Sequence, residues 1–168
     1  MISKVAEMKI NGLFKHSVDD IYCSDFYNLD MRCKYDDIDL LKYLLAKLDK
    51  ENSVTSKNYK LIGKIVYCID LFLNHLIENG KLEVNLFVKI IKFISEYDSS
   101  DEKNEEVDKY VLELKKSIAI LIKRLNSNTL ESVLKVVEKE KIDIIINSLD
   151  SDFINENLDK KEELNNEE

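Results

Sequence analysis

From Tyr59 to Gly80 the apolar side chains fall at Leu61, Ile62, Ile65, Val66, Ile69, Phe72, Leu73, Leu76 and Ile77. Steps of three and four residues place them on one side of a helix, and the strict alternation of a strand is absent. A membrane span needs about 20 nearly uninterrupted apolar residues. Here Lys64, Asp70 and Asn74 break the run. Tyr67 and Cys68 widen the stripe, which predicts a helix with neighbours on two sides. Gly80 stands where a C-terminal cap belongs, because glycine takes positive φ without steric cost.

The same spacing recurs along the chain. Asp36 to Leu48 reads as a helix through Ile38, Leu41, Leu44, Leu45 and Leu48. Leu82 to Tyr97 carries Val84, Phe87, Ile90, Ile91 and Ile94 on one face. A polar loop, Asp98 to about Asn104, separates it from a long helix, Glu105 to Asn126. Asn128 with Glu131 has the form of a capping box opening the next helix, and Ser17 with Asp20 has the form of another before Ile21, Tyr22 and Phe26. Ile142 to Leu149 closes the series as a short helix.

The predicted class is therefore all-α. Short connections predict antiparallel packing of successive helices. The long helices begin near Lys57 and Glu105, about 48 residues apart, and each precedes a shorter partner. That period is close to HEAT or armadillo units. The leading architecture is a short HEAT/armadillo-like helical-repeat array, and the alternative is a closed helical bundle. The expected organisation is one helical domain over residues 1–149 and an acidic tail over residues 150–168.

Composition sharpens this. The chain has no Pro and three Gly in 168 residues, too few for a fold of many tight turns. Net charge is −8, and Asp150 to Glu168 holds eight acids and two lysines. The acidity is thus concentrated in the tail, which disfavours nucleic acid and anionic membranes as partners. Cys23, Cys33 and Cys68 are odd in number, as expected for reduced thiols. Met1 to Phe14 is amphipathic and interrupted by Lys4, Glu7 and Lys9, unlike a signal peptide. The expected location is the cytoplasm.

Candidate chemistry is sparse. Cys68 and His75 are seven apart and share a helix face, but no CxxC, HxxxH or ExxH supports a metal site. His16 stands near Asp19 and Asp20, where acids complement a helix start. Asp36, Asp37 and Asp39 lack the ligand order and central glycine of a calcium loop. Gly12, Gly63 and Gly80 are isolated, so no phosphate-cradling loop is present. No nucleophile stands with a basic partner on a Gly-rich turn. No cofactor is expected, and the chain reads as non-enzymatic. The lysines Lys89 and Lys92, Lys115 and Lys116, and Lys123 with Arg124 read as solvated helix faces. Tyr22, Phe26, Tyr27, Tyr35 and Tyr43 crowd the N-terminal quarter, mostly as core, with any surplus suited to anchoring a partner.

The succession "KLIGKIVYCIDLFL", "FVKIIKFISEY", an acidic loop and "SIAILIKRLNSNTLESVLKVVEKE" resembles the small C-terminal helical-repeat domain of the TOG-domain microtubule polymerases. The likeness covers roughly Ile38 to Lys141 and rests on Tyr67, Cys68, Ile69, Asn128 and Leu134. It implies a non-enzymatic role in a microtubule or spindle assembly, with a cytoskeletal or spindle-pole location. The tubulin-gripping members carry a Trp in their first turn, and this chain has none. The resemblance therefore implies docking of an adaptor or other cytoskeletal component.

The expected partner is another protein, bound through the polar turns between paired helices: Asn79, Gly80 and Lys81, and Asn126, Ser127 and Asn128. A second expectation, of a different class, is a Bcl-2-like bundle that captures an amphipathic helix in a groove.

Overall fold

A computed structural model describes residues 4–22, 37–78, 83–125 and 127–156, and every regular element among them is helical. In chain order these are α1 (Lys4–Leu13), a single 3-10 turn (Val18–Asp20), α2 (Asp37–Asn52), α3 (Tyr59–Glu78) and α4 (Val84–Ser99). There follow α5 (Glu105–Arg124), α6 (Ser127–Leu134), α7 (Lys139–Asn147) and the one-turn α8 (Ser151–Ile154). The all-α prediction holds, and the periodic stripes lie inward. Leu41, Leu44 and Leu48 of α2, Ile65, Ile69 and Phe72 of α3, and Phe87, Ile90 and Ile94 of α4 share one core with Val111, Leu114 and Ile118 of α5. Each such side chain contributes about 1.5–3 kcal/mol on burial.

α5 is the best-specified helix. Asn104 caps it, its side chain accepting from the Glu106 and Val107 amides at 3.0 and 3.4 Å. Glu105, Glu106 and Asp108 occupy its first turn, and Lys123 and Arg124 its last. Both charge sets agree with the helix dipole.

Two sequence-predicted caps differ from the structure. Asn128 does not stand before its helix, because α6 already begins at Ser127. Asn128 instead lies in the first turn, where its carbonyl accepts from Ser132 Oγ at 3.1 Å. Ser17 opens only a three-residue turn: its hydroxyl is spent on Asp20 Oδ2 at 2.7 Å and caps no amide, and Ile21 and Tyr22 are not helical. Phe26 and Gly80 lie outside the described residues.

The helices form two layers. α2 meets α4 and α4 meets α6, while α3 meets α5 and α5 meets α7; α2 with α3 and α4 with α7 join the layers. The most extensive contact is between α3 and α5, not between chain neighbours. Sequence supplies the reason. Gly63 presents no side chain, and a Cβ there would sit 3.1 Å from the Tyr110 ring.

Equivalent positions face each other. Ser117 of α5 donates to Asp70 of α3 at 2.6 Å, a pair 47 residues apart. That offset also separates Gly63 from Tyr110, the first residues of α2 and α4 (Asp37, Val84) and their last (Asn52, Ser99). The helix pair α2–α3 is thus followed by a second pair, α4–α5, stacked parallel and in register. This is the observed counterpart of the period of about 48 read from the sequence.

The ends are tied to this stack. Lys64 is buried in α3 and donates to the Phe14 carbonyl beyond α1 at 2.8 Å. Tyr43 of α2 donates to Asn11 of α1 at 3.4 Å. At the other end Phe153 and Ile154 of α8 pack with Ala119 and Leu149, and Lys116 lies over the Phe153 ring.

Candidate protein-binding surface

Of the turn residues expected to contact a partner, Asn79, Gly80, Lys81 and Asn126 lie outside the described residues. Ser127 begins α6, and Asn128 is exposed one residue later. The structure brings a different surface together on the α2–α4–α6 layer. Because α2 and α4 run parallel, a groove of about 360 Å³ opens between them. Leu45, Ala46, Leu48 and Phe93 form its apolar lining. Lys42 and Lys89 stand toward one end and Asp49 and Glu96 toward the other, with Lys92 between them, level with Leu45.

The direction of the two walls follows from their contacts. Lys42, early in α2, reaches Glu83 at the head of α4 across 3.8 Å. Asn52 at the end of α2 shares a second cavity with Glu96, Tyr97 and Ser100 at the end of α4. On each wall the lysine precedes the acid by two turns, Lys42 before Asp49 and Lys89 before Glu96. Lys89, Lys92, Asp49 and Glu96 make no ion pair among the described residues, while Lys42 holds only the long contact with Glu83.

A smaller apolar cleft flanks the other side of α4. Val88, Ile91, Lys92, Val136, Val137 and Lys141 line it, and Val136 is 64% exposed. Lys92 borders both depressions. The second cavity, of about 140 Å³, lies beside the loop from α4 to α5. There the Tyr97 hydroxyl bonds the Asp108 carboxylate and the Asn104 carbonyl. Burial and the bond to Asp108 push this phenol up to about 12. Lys57 reaches Glu102 at 3.5 Å, and Tyr59 donates to the same carboxylate at 3.4 Å. These bonds fix the loop.

Other sequence candidates resolve into structural roles. Cys68 is fully buried, and Phe72 stacks on His75. Among the described residues no three His, Cys, Asp or Glu side chains group as metal ligands. Lys115 bridges to Asp98 at 2.8 Å and Lys116 to Glu113 at 3.4 Å. These two lysines serve the α4–α5 hairpin and the α5 surface, whereas Lys89 and Lys92 line the groove. Tyr22 is exposed, Tyr43 is half-buried, and Phe26, Tyr27 and Tyr35 lie outside the described residues.

Asp70 is the exception inside the fold. It is half-buried between α3 and α5, where burial pushes its carboxyl up to about 6. The Ser117 bond opposes the rise, Glu113 adds to it, and Asn74 opposes it. Asn74 donates to both Asp70 Oδ1 and Ser117 Oγ, at 3.3 and 3.1 Å, closing a small polar cluster.

No helix among the described residues is long and apolar enough to cross a membrane. The chain matches no family model, no curated protein and no solved structure.

The groove was missed from sequence because its walls come from helices 47 residues apart. A signal was nevertheless present. Lys42 and Asp49 recur at that offset as Lys89 and Glu96, on positions outside both apolar stripes.

Proposed function

We propose that this chain is a non-catalytic helical-repeat module that binds another protein. The observation that carries the reading is the groove between α2 and α4, where Lys89, Lys92, Asp49 and Glu96, which make no ion pair among the described residues, border an apolar lining. Stacked helix pairs commonly use such continuous faces for recognition. The HEAT-like description is supported by the 47-residue register of the two helix pairs. The setting in a microtubule or spindle assembly rests on the resemblance carried by Tyr67, Cys68, Ile69, Asn128 and Leu134 alone, and a cytoplasmic location on the odd cysteine count and the interrupted pattern of Met1 to Phe14.

The groove also favours a more specific reading, the capture of an amphipathic partner helix. An array and a bundle can both do this, because the requirement is two parallel helices set apart over an apolar lining.

Affinity purification from the native organism, followed by titration with the purified partner, tests the general reading. A saturable complex of fixed stoichiometry is the expected result. Turnover of a metabolite without any saturable protein partner overturns it. Replacing Lys81 and Asn128 together tests the turn edge, and unchanged affinity removes that edge from the interface.

A further inference from the structure

The groove between α2 and α4 has a direction. Lys42 and Lys89 sit in the second turn of their helices, and Asp49 and Glu96 in the last. Each helix therefore carries acid near its C-terminal end, where its own dipole disfavours negative charge. Fold stability does not account for that order, and neither does local pairing, since Asp49, Glu96, Lys89 and Lys92 make no ion pair among the described residues. The parallel walls add their dipoles, so the lysine end gathers positive potential and the acid end negative potential.

We propose that this groove docks an amphipathic helix of a partner protein, running antiparallel to α2 and α4, with a basic residue two turns before an acidic one. The inference rests on the protein-binding reading above and adds the occupant's chemistry and orientation. Antiparallel placement sets the partner's positive N-terminal end over Asp49 and Glu96, and its negative C-terminal end over Lys42 and Lys89. Charge complementarity and dipole alignment then act together. Seven residues separate lysine from acid on each wall, about 10 Å of helix rise. The matching partner repeats that spacing as Lys-x-x-Leu-Leu-x-x-Glu. Its two leucines meet Leu45, Ala46 and Phe93 at the middle of the groove. A helix of reversed charge order has the same composition and hydropathy but meets like charge at both ends in this placement; turned parallel it regains the charge pairs and sets its dipole against those of both walls.

Two synthetic helical peptides of about 18 residues, long enough to hold helix in isolation, test the idea. One carries Lys-x-x-Leu-Leu-x-x-Glu and the other Glu-x-x-Leu-Leu-x-x-Lys, titrated against the full chain by fluorescence anisotropy at low salt. The expected result is up to about tenfold tighter binding of the first, because only its antiparallel placement joins the charge pairs to favourable dipole alignment at both ends. The double variant Lys89→Glu with Glu96→Lys reverses the charge order on one wall and is expected to abolish or invert the preference. Both positions are exposed, and circular dichroism of the variant checks that its helices are kept. Equal affinity for the two peptides, or binding of neither, overturns the proposal. A native partner whose affinity the double variant leaves unchanged also overturns it, while the general protein-binding reading then stands.

Discussion

The hydroxyl of Ser117 on α5 donates to the carboxylate of Asp70 on α3 across 2.6 Å, and the two residues occupy equivalent places in successive helix pairs. Asp70 is held there half out of water, with its carboxyl pushed up to about 6. Its ordinary value is 3.8. The folded state therefore binds the proton more tightly than the unfolded chain. The linkage slope is negative between these values, so Asp70 makes the fold less stable as pH rises from about 4 to 6. The cost is present in full above that window and absent below it. Asp70→Asn keeps an oxygen for Ser117 and removes the charge. It is expected to raise stability at pH 7 by about 1–3 kcal/mol. Denaturant titrations of the two proteins should converge near pH 4; a constant difference across pH would refute the assignment.

Gly63 lets α3 approach α5. Gly63→Ala gains about 1 kcal/mol of helix propensity. It also sets a methyl group 3.1 Å from the half-buried Tyr110 ring, which can give by a few tenths of an ångström. The two effects nearly cancel, so the expected change in Tm is small. Gly63→Leu forces the helices apart and is expected to cost about 1–3 kcal/mol or more. Thermal melts of the two variants check the contrast, and equal effects would contradict the close approach.

Lys64 secures the segment after α1 through the Phe14 carbonyl. Lys64→Met fills similar space but leaves that acceptor unpaired, at an expected cost of about 1–3 kcal/mol. Hydrogen exchange should show the loss first in α1. A uniform loss across α3 and α5 would mean that the lysine holds more than this segment.

Asn104 is the cap of α5. Asn104→Ala is expected to cost about 1 kcal/mol, and Asn104→Asp to cost less than that. Chemical denaturation of both variants separates cap from loop effects. An equal loss in both would show that the loop around Tyr97, rather than the cap, governs the site.

The helices were legible in the sequence because Ile65, Ile69 and Phe72, or Phe87, Ile90 and Ile94, repeat at helical spacing and no Pro interrupts them. Their ends moved by at most four residues, and the start at Glu105 did not move. Backbone and side-chain hydrogen bonds compete there, as Ser17 shows by bonding Asp20 rather than an amide. The repeat was visible as a period, but its consequence was not. Short connections predicted antiparallel packing of successive helices and said nothing of α3 against α5, which the absence of a side chain at Gly63 brings close to Tyr110. The groove depends on the relative direction of α2 and α4. No local pattern encodes that direction, although the recurrence of Lys42 and Asp49 as Lys89 and Glu96 is written in the chain. The turn residues Asn79, Gly80, Lys81 and Asn126 lie outside the described residues, so their assigned role continues to rest on the sequence.

The parallel, in-register stacking of the two helix pairs underlies both the groove and its polarity, and proton–proton NOEs test it directly. The account predicts contacts from the Gly63 α-protons to the Tyr110 ring together with contacts between Asp70 and Ser117. Gly63 protons meeting the Ser117 turn, with Asp70 protons meeting Tyr110, would reverse one helix and contradict it.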